Sequence, residues 1–258
     1  MNINLINIIE NIRDQFGIEY DRTDYYHKFI YISQLLSLSL ILKLHPENEI
    51  NSENLTENEK TELKKHIQSF YENYKLIGGK ESLTLLTEEK VFLDRYSIFE
   101  NFIFENFNEL GKAYPNLLFK EKKHIKIKKE YLFTSKIEET YLAELVFNEI
   151  KETMFNKSLS NSIHTFINRF ALTKKIEKEK FSAIDQISAI RNILIHKKGK
   201  ISELDLLELK SKGIEINIEI EKGVNKFLSR ELDRYQITLG DTAQELYESI
   251  LDTVKKTT

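Results

Sequence analysis

The sequence predicts an all-α protein, a mostly helical bundle with one small β-hairpin near its C-terminus. Two prolines and eight glycines among 258 residues leave few helix breakers, which favours long helices over a many-stranded sheet. Apolar residues make up 41% of the chain and charged residues 31%, a composition typical of soluble globular proteins. Because the chain has no cysteine, disulfides and thiolate metal sites are excluded, and we expect a cytoplasmic location.

The N-terminal region has apolar residues at helical spacing. It predicts two helices, over Asn2–Phe16 and Thr23–Leu44, followed by a polar linker over His45–Asn58. The most apolar run, Phe29–Leu44, is interrupted by polar side chains and is short for a bilayer span. We therefore expect a buried helix there and no contact with a membrane.

A capping box opens the next predicted helix. Thr56 and Glu59 have the spacing in which each side chain caps the backbone of the other, and the helix is expected to reach about Leu76. A Gly-Gly pair then interrupts the pattern. We place a domain boundary here, with residues 1–80 as an N-terminal helical region of unknown role and residues 81–258 as the second domain.

A long aromatic helix is predicted over Glu88–Ala113, ended by Pro115. Its aromatic and apolar residues recur at helical spacing, which is typical of a core stripe: Phe92, Tyr96, Phe99, Phe102, Ile103 and Phe107. After a lysine-rich segment, Ser135 and Glu138 form a second capping box, which opens a helix to about Phe155.

Three further helices are predicted before residue 213, over Leu159–Leu172, Ile176–Lys198 and Ser202–Lys210. Beyond them, residues 214–221 alternate perfectly between isoleucine and polar residues. A period of two predicts a half-buried strand, which we expect to pair with Tyr235–Leu239 in the hairpin. Asp241 and Gln244 then have the spacing of a capping box for the terminal helix.

The stretch AIRNILIHKKG, residues 189–199, places polar residues in an otherwise apolar helix. On a helical wheel, Arg191 projects between Ile187 and Ile195, at the edge of the apolar face. An unpaired guanidinium there is costly and stays charged. Arg191 is therefore expected either to pair with a buried acid or to face a cleft that an anion enters.

His196 is expected in the last turn of the same helix, because Gly199 is a natural residue for the position just past a helix end. Asn192 lies one turn before His196 on the polar stripe. An imidazole at a helix end beside two lysines suits acid–base chemistry near neutral pH. The bare Arg-x4-His spacing also occurs by chance in helical proteins, so residue types alone leave a structural role open.

The motif Arg191-Asn192-x-x-x-His196, followed by a glycine and a helix start, resembles the signature of HEPN domains. The similarity covers roughly residues 85–255 and is greatest to the RiboL-PSP-HEPN and MAE-28990 types, with the aromatic helix, the lysine-bearing link and the C-terminal hairpin in the same order. Such domains are all-helical, and many are metal-independent RNases of toxin and antiviral systems. In some of them a tyrosine two residues after the histidine is modified by an antitoxin; here that position is Lys198, so this form of silencing is not expected.

The resemblance implies a site and partners. Arg191 and His196 would be the catalytic pair, Asn192 would orient them, and two copies would form a homodimer with one composite site. It also implies RNA as substrate, no cofactor and no metal, and a possible antitoxin or defence-system partner protein. These residue types fit RNA cleavage. RNA carries its own nucleophile, the 2′-hydroxyl. An imidazole can transfer the proton, and a guanidinium can bind the phosphate.

One strongly basic stretch stands out against a net charge of −3. Its lysines, with two at the motif, are the candidate RNA-binding residues: Lys120, Lys122, Lys123, Lys126, Lys128, Lys129, Lys197 and Lys198. The stretch is either a solvated surface run or the element that tracks RNA phosphates. Two hypotheses for the whole protein remain open at this point, an HEPN-type endoribonuclease and an inactive HEPN-like module that binds RNA or a protein.

Overall fold

The structure is a computed structural model that describes residues 3–43, 55–76, 79–118, 158–173, 176–218 and 223–256, together with residues 148 and 220. These residues contain long α-helices and no strand, which confirms the all-α class. The helices are α1 (Ile3–Lys43), α2 (Glu57–Leu76), α3 (Gly79–Ala113), α4 (Pro115–Leu118), α5 (Leu159–Phe170), α6 (Lys178–Lys197), α7 (Glu203–Ser211) and α8 (Gly223–Lys256). In this part of the chain, no helix combines the length and apolar character that a membrane span requires.

Helix α1 is one continuous helix where the sequence predicted two. Gly17, at the expected break, costs only about 1 kcal/mol relative to alanine in a helix, and no proline interrupts the segment. The neighbouring ring of Phe16 packs against Tyr20 at 5.2 Å and against Phe102 of α3 at 4.9 Å, measured between ring centroids. The ring pair across the glycine within α1 and the contact of Phe16 with α3 favour a continuous helix over a turn.

The core lies where α1, α3 and α8 pack together, with α6 against α8 and α5 against α6. Ile9 of α1, Phe99 and Ile103 of α3 and Ile250 of α8 are fully buried members of one hydrophobic cluster. Helix α1 precedes the expected boundary at residue 80, yet it shares its core with helices that follow it. The boundary itself stays a prediction.

A polar cluster ties α1 to the other two central helices. Arg95 of α3 is only 5% exposed; its Nε donates to Thr23 Oγ1 at 2.7 Å and its Nη2 to Asp24 Oδ1 at 3.2 Å. The guanidinium lies over the Tyr20 ring, 4.5 Å from the centroid, and the Tyr20 hydroxyl donates to the Gln236 carbonyl of α8. A tyrosine is protonated at neutral pH and can donate this bond; burial raises the pKa of Tyr20 further, to about 12.

The aromatic helix is longer than predicted. Helix α3 begins at Gly79 rather than Glu88. The stripe is buried, as predicted: Phe92, Tyr96, Phe99, Phe102, Ile103 and Phe107 are all at most 6% exposed.

Two capping boxes fix helix starts in the structure. The Thr56 amide donates to Glu59 Oε2 at 2.8 Å and the Glu59 amide to Thr56 Oγ1 at 3.4 Å, which confirms the predicted box at α2. Ser202 and Asp205 cap α7 in the same way, so this helix starts where the sequence placed it. The helix predicted from Ser135 to Phe155 lies outside the described residues.

The predicted C-terminal β-hairpin is not seen. Residues 214–218 form no strand, and Tyr235–Leu239 lies inside α8, which starts at Gly223 rather than near Asp241. The buried residues of α8 recur every three or four positions, which is a helical period: Leu228, Leu232, Tyr235, Leu239, Ala243, Leu246 and Ile250. Without its predicted partner, one alternating segment cannot make a sheet.

Candidate active site at the end of helix α6

Helix α6 carries the motif and remains helical to Lys197, past His196. Lys198 then adopts the left-handed conformation, with φ 52° and ψ 42°, and Gly199 has φ 73°. The amides of both residues donate to the Ile193 carbonyl, that of Gly199 at 3.2 Å. Gly199 is therefore the residue just past the helix end, as the sequence predicted.

Gly199 also packs the end of α6 against α8. Its carbonyl accepts from the Val224 amide at 3.2 Å, and an added Cβ would lie 2.7 Å from Asn225 Oδ1. The Asn225 Nδ2 in turn donates to Glu89 Oε2 of α3 at 2.9 Å. Glycine is favoured here by both the backbone conformation and the close approach of the Asn225 side chain of α8.

Gly199→Ala is therefore expected to lower the free energy of unfolding by more than the roughly 1–2 kcal/mol of a left-handed alanine. Gly213→Ala is the matched control, because Gly213 has φ +75° but nothing within 4 Å of an added Cβ. Urea unfolding of both variants measures the difference. Equal losses for the two variants would mean that the contact with Asn225 contributes nothing.

Arg191 lies half-buried between α6 and α3. Its Nη1 donates to Asn192 Oδ1 at 3.1 Å, and its Cζ lies 5.4 Å from the centroid of the Tyr96 ring. Within the described part of the chain Arg191 forms no direct ion pair. An acid, one of the two partners that the sequence left open, is nonetheless nearby, because the charge of Glu100 on α3 interacts with Arg191.

The electrostatics of this corner follow from partial burial. Burial raises the pKa of Glu100 above its ordinary value, and the positive charge of Arg191 partly opposes that rise. Burial, together with the Glu100 charge, also raises the pKa of Tyr96. Ser188, on α6 beside Tyr96, is 6% exposed. Arg191 thus sits at the rim of a polar cluster between two helices.

His196 and Asn192 are exposed, whereas Arg191 is directed toward α3. Because α6 stays helical through the motif, residues 191 and 196 project roughly 140° apart. The structure therefore does not bring the Arg191 and His196 side chains of one chain onto one face. The left-handed residues come after His196 and cannot change this geometry.

Exposed apolar side chains occur both in the motif stretch and on α7. In the motif stretch, Ile193 is buried in the core, whereas Ile195 is 46% exposed. Leu204 and Leu207 of α7 are 76% and 63% exposed. We call Ile195, Leu204 and Leu207 the apolar rim.

Lys197 joins the two helices of this region. Its Nζ contacts the Asp205 carboxylate in an ion pair. The hydrogen bonds from Lys197, first, and from Ser202 lower the pKa of Asp205 to about 2. The Lys197 charge is thus partly offset, whereas Lys198 is exposed.

Six of the candidate RNA-binding lysines fall outside the described residues: Lys120, Lys122, Lys123, Lys126, Lys128 and Lys129. Among the residues that are described, no group of three histidine, aspartate or glutamate side chains could hold a metal ion. In the described residues, the candidate site has Arg191 and Asn192 of α6 near Tyr96 and Glu100 of α3, with His196 on another face of α6.

Sequence reasoning missed Glu100 and assigned Tyr96 only to the core. Their spacing of four residues, with a single tyrosine in a phenylalanine-rich stripe, was the available signal. That signal shows which residues share a face of α3, but not that this face meets Arg191.

Comparison of the chain with protein-family models, with curated proteins and with solved structures gives no match. The similarity to HEPN domains therefore rests on residues of this chain alone, namely Arg191-Asn192-x-x-x-His196, the glycine that follows and the helix that starts at Glu203.

Proposed function

We propose that this protein is a metal-independent endoribonuclease of a bacterial defence or toxin system, with Arg191 and His196 as its catalytic residues. The observation that supports it most is the setting of Arg191. A guanidinium stays charged at any physiological pH, yet this one is half-buried without a direct ion pair among the described residues. A phosphate is the anion that its planar fork of donors fits best.

The proposed reaction is attack of the RNA 2′-oxygen on the adjacent phosphorus, with departure of the 5′-oxygen of the next nucleotide. His196, exposed and without a fixed partner among the described side chains, exchanges a proton with the attacking or leaving oxygen. Arg191 offsets the negative charge that develops on the phosphate oxygens. Asn192 holds one arm of the guanidinium through its Oδ1.

We propose that a second copy of the chain completes the site. Arg191 and His196 project roughly 140° apart on one helix, so the arginine of one copy and the histidine of the other must share a phosphate. The apolar rim supports such a homodimer, because exposed leucines and an isoleucine beside the motif are suited to a two-fold contact.

The basic stretch and Lys198 would then bind RNA beyond the scissile phosphate. An antitoxin or other defence-system protein would control the enzyme.

An alternative is a catalytically inactive HEPN-like module that binds RNA or a protein partner. The packing of Arg191 over Tyr96 favours it, because this contact would serve to join α3 and α6 without any chemistry. The two functions differ in what happens to RNA that is bound.

The experiment is incubation of the wild-type protein with single-stranded RNA, with and without EDTA. We expect equal cleavage in both, with cyclic phosphate ends, because the nucleophile and the proton carrier need no metal. DNA of the same sequence should remain intact, since it lacks the 2′-hydroxyl. Loss of cleavage in EDTA, or equal cutting of DNA, would contradict the mechanism; binding of RNA without cleavage would establish the inactive module.

A further inference from the structure

The Arg191 guanidinium needs a fixed orientation to bind a phosphate through two hydrogen bonds. Its donors form a rigid planar fork that binds a phosphate through two parallel hydrogen bonds only when the plane is correctly turned. The arginine side chain itself is long and flexible and has about 2 kcal/mol of rotamer entropy. The neighbouring Asn192 is exposed on the same helix, and its Oδ1 accepts a hydrogen bond from the Arg191 Nη1 only. Orientation must therefore come mainly from another element.

Tyr96 of α3 supplies a rigid surface for that fork. Its side chain is 6% exposed and sits in the buried stripe of α3, so its ring has little freedom to move. The Arg191 Cζ lies 5.4 Å from the ring centroid, within the range of cation–π attraction. The ring therefore limits which way the guanidinium can turn.

Glu100 lies one turn after Tyr96 on the same side of α3, and it is half-buried. A carboxylate in direct contact with Arg191 would take up two donors of the fork. No such ion pair occurs in the described residues, although the two charges interact. Glu100 thus attracts the guanidinium without occupying its N–H groups.

We propose that Tyr96 and Glu100 are positioning residues for Arg191. The Tyr96 ring sets the plane of the guanidinium, and the offset carboxylate of Glu100 holds its charge against α3 while its donors stay available to an RNA phosphate. This assignment rests on the proposed nuclease function, because that function requires Arg191 to bind an RNA phosphate.

The test compares two disruptive variants with two conservative ones. Glu100→Gln removes the charge and keeps the shape, whereas Glu100→Asp keeps the charge; Tyr96→Leu removes the ring, whereas Tyr96→Phe keeps it. Glu105→Gln is the matched control, because Glu105 is exposed on the same helix. The kcat and KM for a short RNA are measured separately, together with urea unfolding and the 15N relaxation of the Arg191 Nε–Hε group.

Glu100→Gln and Tyr96→Leu are each expected to lower kcat roughly tenfold through misplacement of a catalytic group, with little rise in KM. Both should increase the mobility of the Arg191 Nε–Hε group. Glu100→Asp and Tyr96→Phe should each recover most of the rate, and Glu105→Gln should match the wild type.

Unchanged kcat and unchanged Arg191 mobility in both disruptive variants would overturn the assignment. So would loss of stability alone, with normal kcat in the folded protein. If the wild-type protein does not cleave RNA, the nuclease proposal fails, and the relaxation of Arg191 decides the positioning role by itself: greater mobility in Glu100→Gln and Tyr96→Leu supports it, and no change refutes it.

Discussion

His196→Ala is expected to reduce RNA cleavage by at least about 100-fold, the lower range for loss of a general acid–base group. Arg191→Ala is expected to lose roughly 100- to 1,000-fold, since it removes a donor that stabilises developing charge. His196 is exposed at a helix end, so its removal should leave the unfolding transition unchanged. The measurement is single-turnover cleavage of a labelled RNA, with circular dichroism and urea unfolding of each variant.

Two control variants separate this effect from a general loss of positive or titratable side chains. His164→Ala removes an exposed histidine that stacks on Phe181 at 3.8 Å between ring centroids, and Arg230→Ala removes an exposed arginine of α8. Both should cleave RNA at the wild-type rate. If His196→Ala retained the wild-type rate while remaining folded, His196 would not be the proton carrier.

Mixing the inactive Arg191→Ala and His196→Ala proteins is expected to restore cleavage. In a composite site, the intact arginine of one copy faces the intact histidine of the other, so a mixed dimer contains one complete pair. Random exchange makes about half of the dimers mixed, and the recovered rate should be a substantial fraction of the wild-type rate. The measurement is cleavage after equimolar mixing, with each variant alone as the baseline.

The molecular mass of the protein in solution tests the predicted homodimer independently. Light scattering at micromolar concentration should give twice 30.5 kDa, and Leu204→Glu with Leu207→Glu should shift the protein toward monomer by placing charges in the apolar rim. Leu86→Glu is the control, since Leu86 is 50% exposed on α3. A monomer whose rate per molecule does not depend on protein concentration, or a mixture that stays inactive, would show the composite site to be wrong.

Local sequence patterns predicted those parts of the fold that depend on near neighbours. The capping box of Thr56 and Glu59 and the end of α6 at Gly199 involve residues within a few positions of one another. The aromatic stripe of α3 was predicted from its period alone. In each case the hydrogen bond or the apolar face is specified by residues that any single helix brings together.

The errors arose where a distant element decided the outcome. Gly17 does not break α1, because Phe16 packs on Phe102, which is 86 positions away in the chain. Tyr235–Leu239 fits a strand locally, but its residues continue the helical period of α8 against α3 and α6.

The sequence by itself determined the helical class and the identity of the polar residues at the end of α6, because period, caps and residue type are local properties. Only the tertiary structure decided what surrounds Arg191. Tyr96 and Glu100 are about 90 residues away from it in the chain, and a helical period states which face is buried but not which helix covers it. The setting of the guanidinium therefore depends on the packing of α3 against α6.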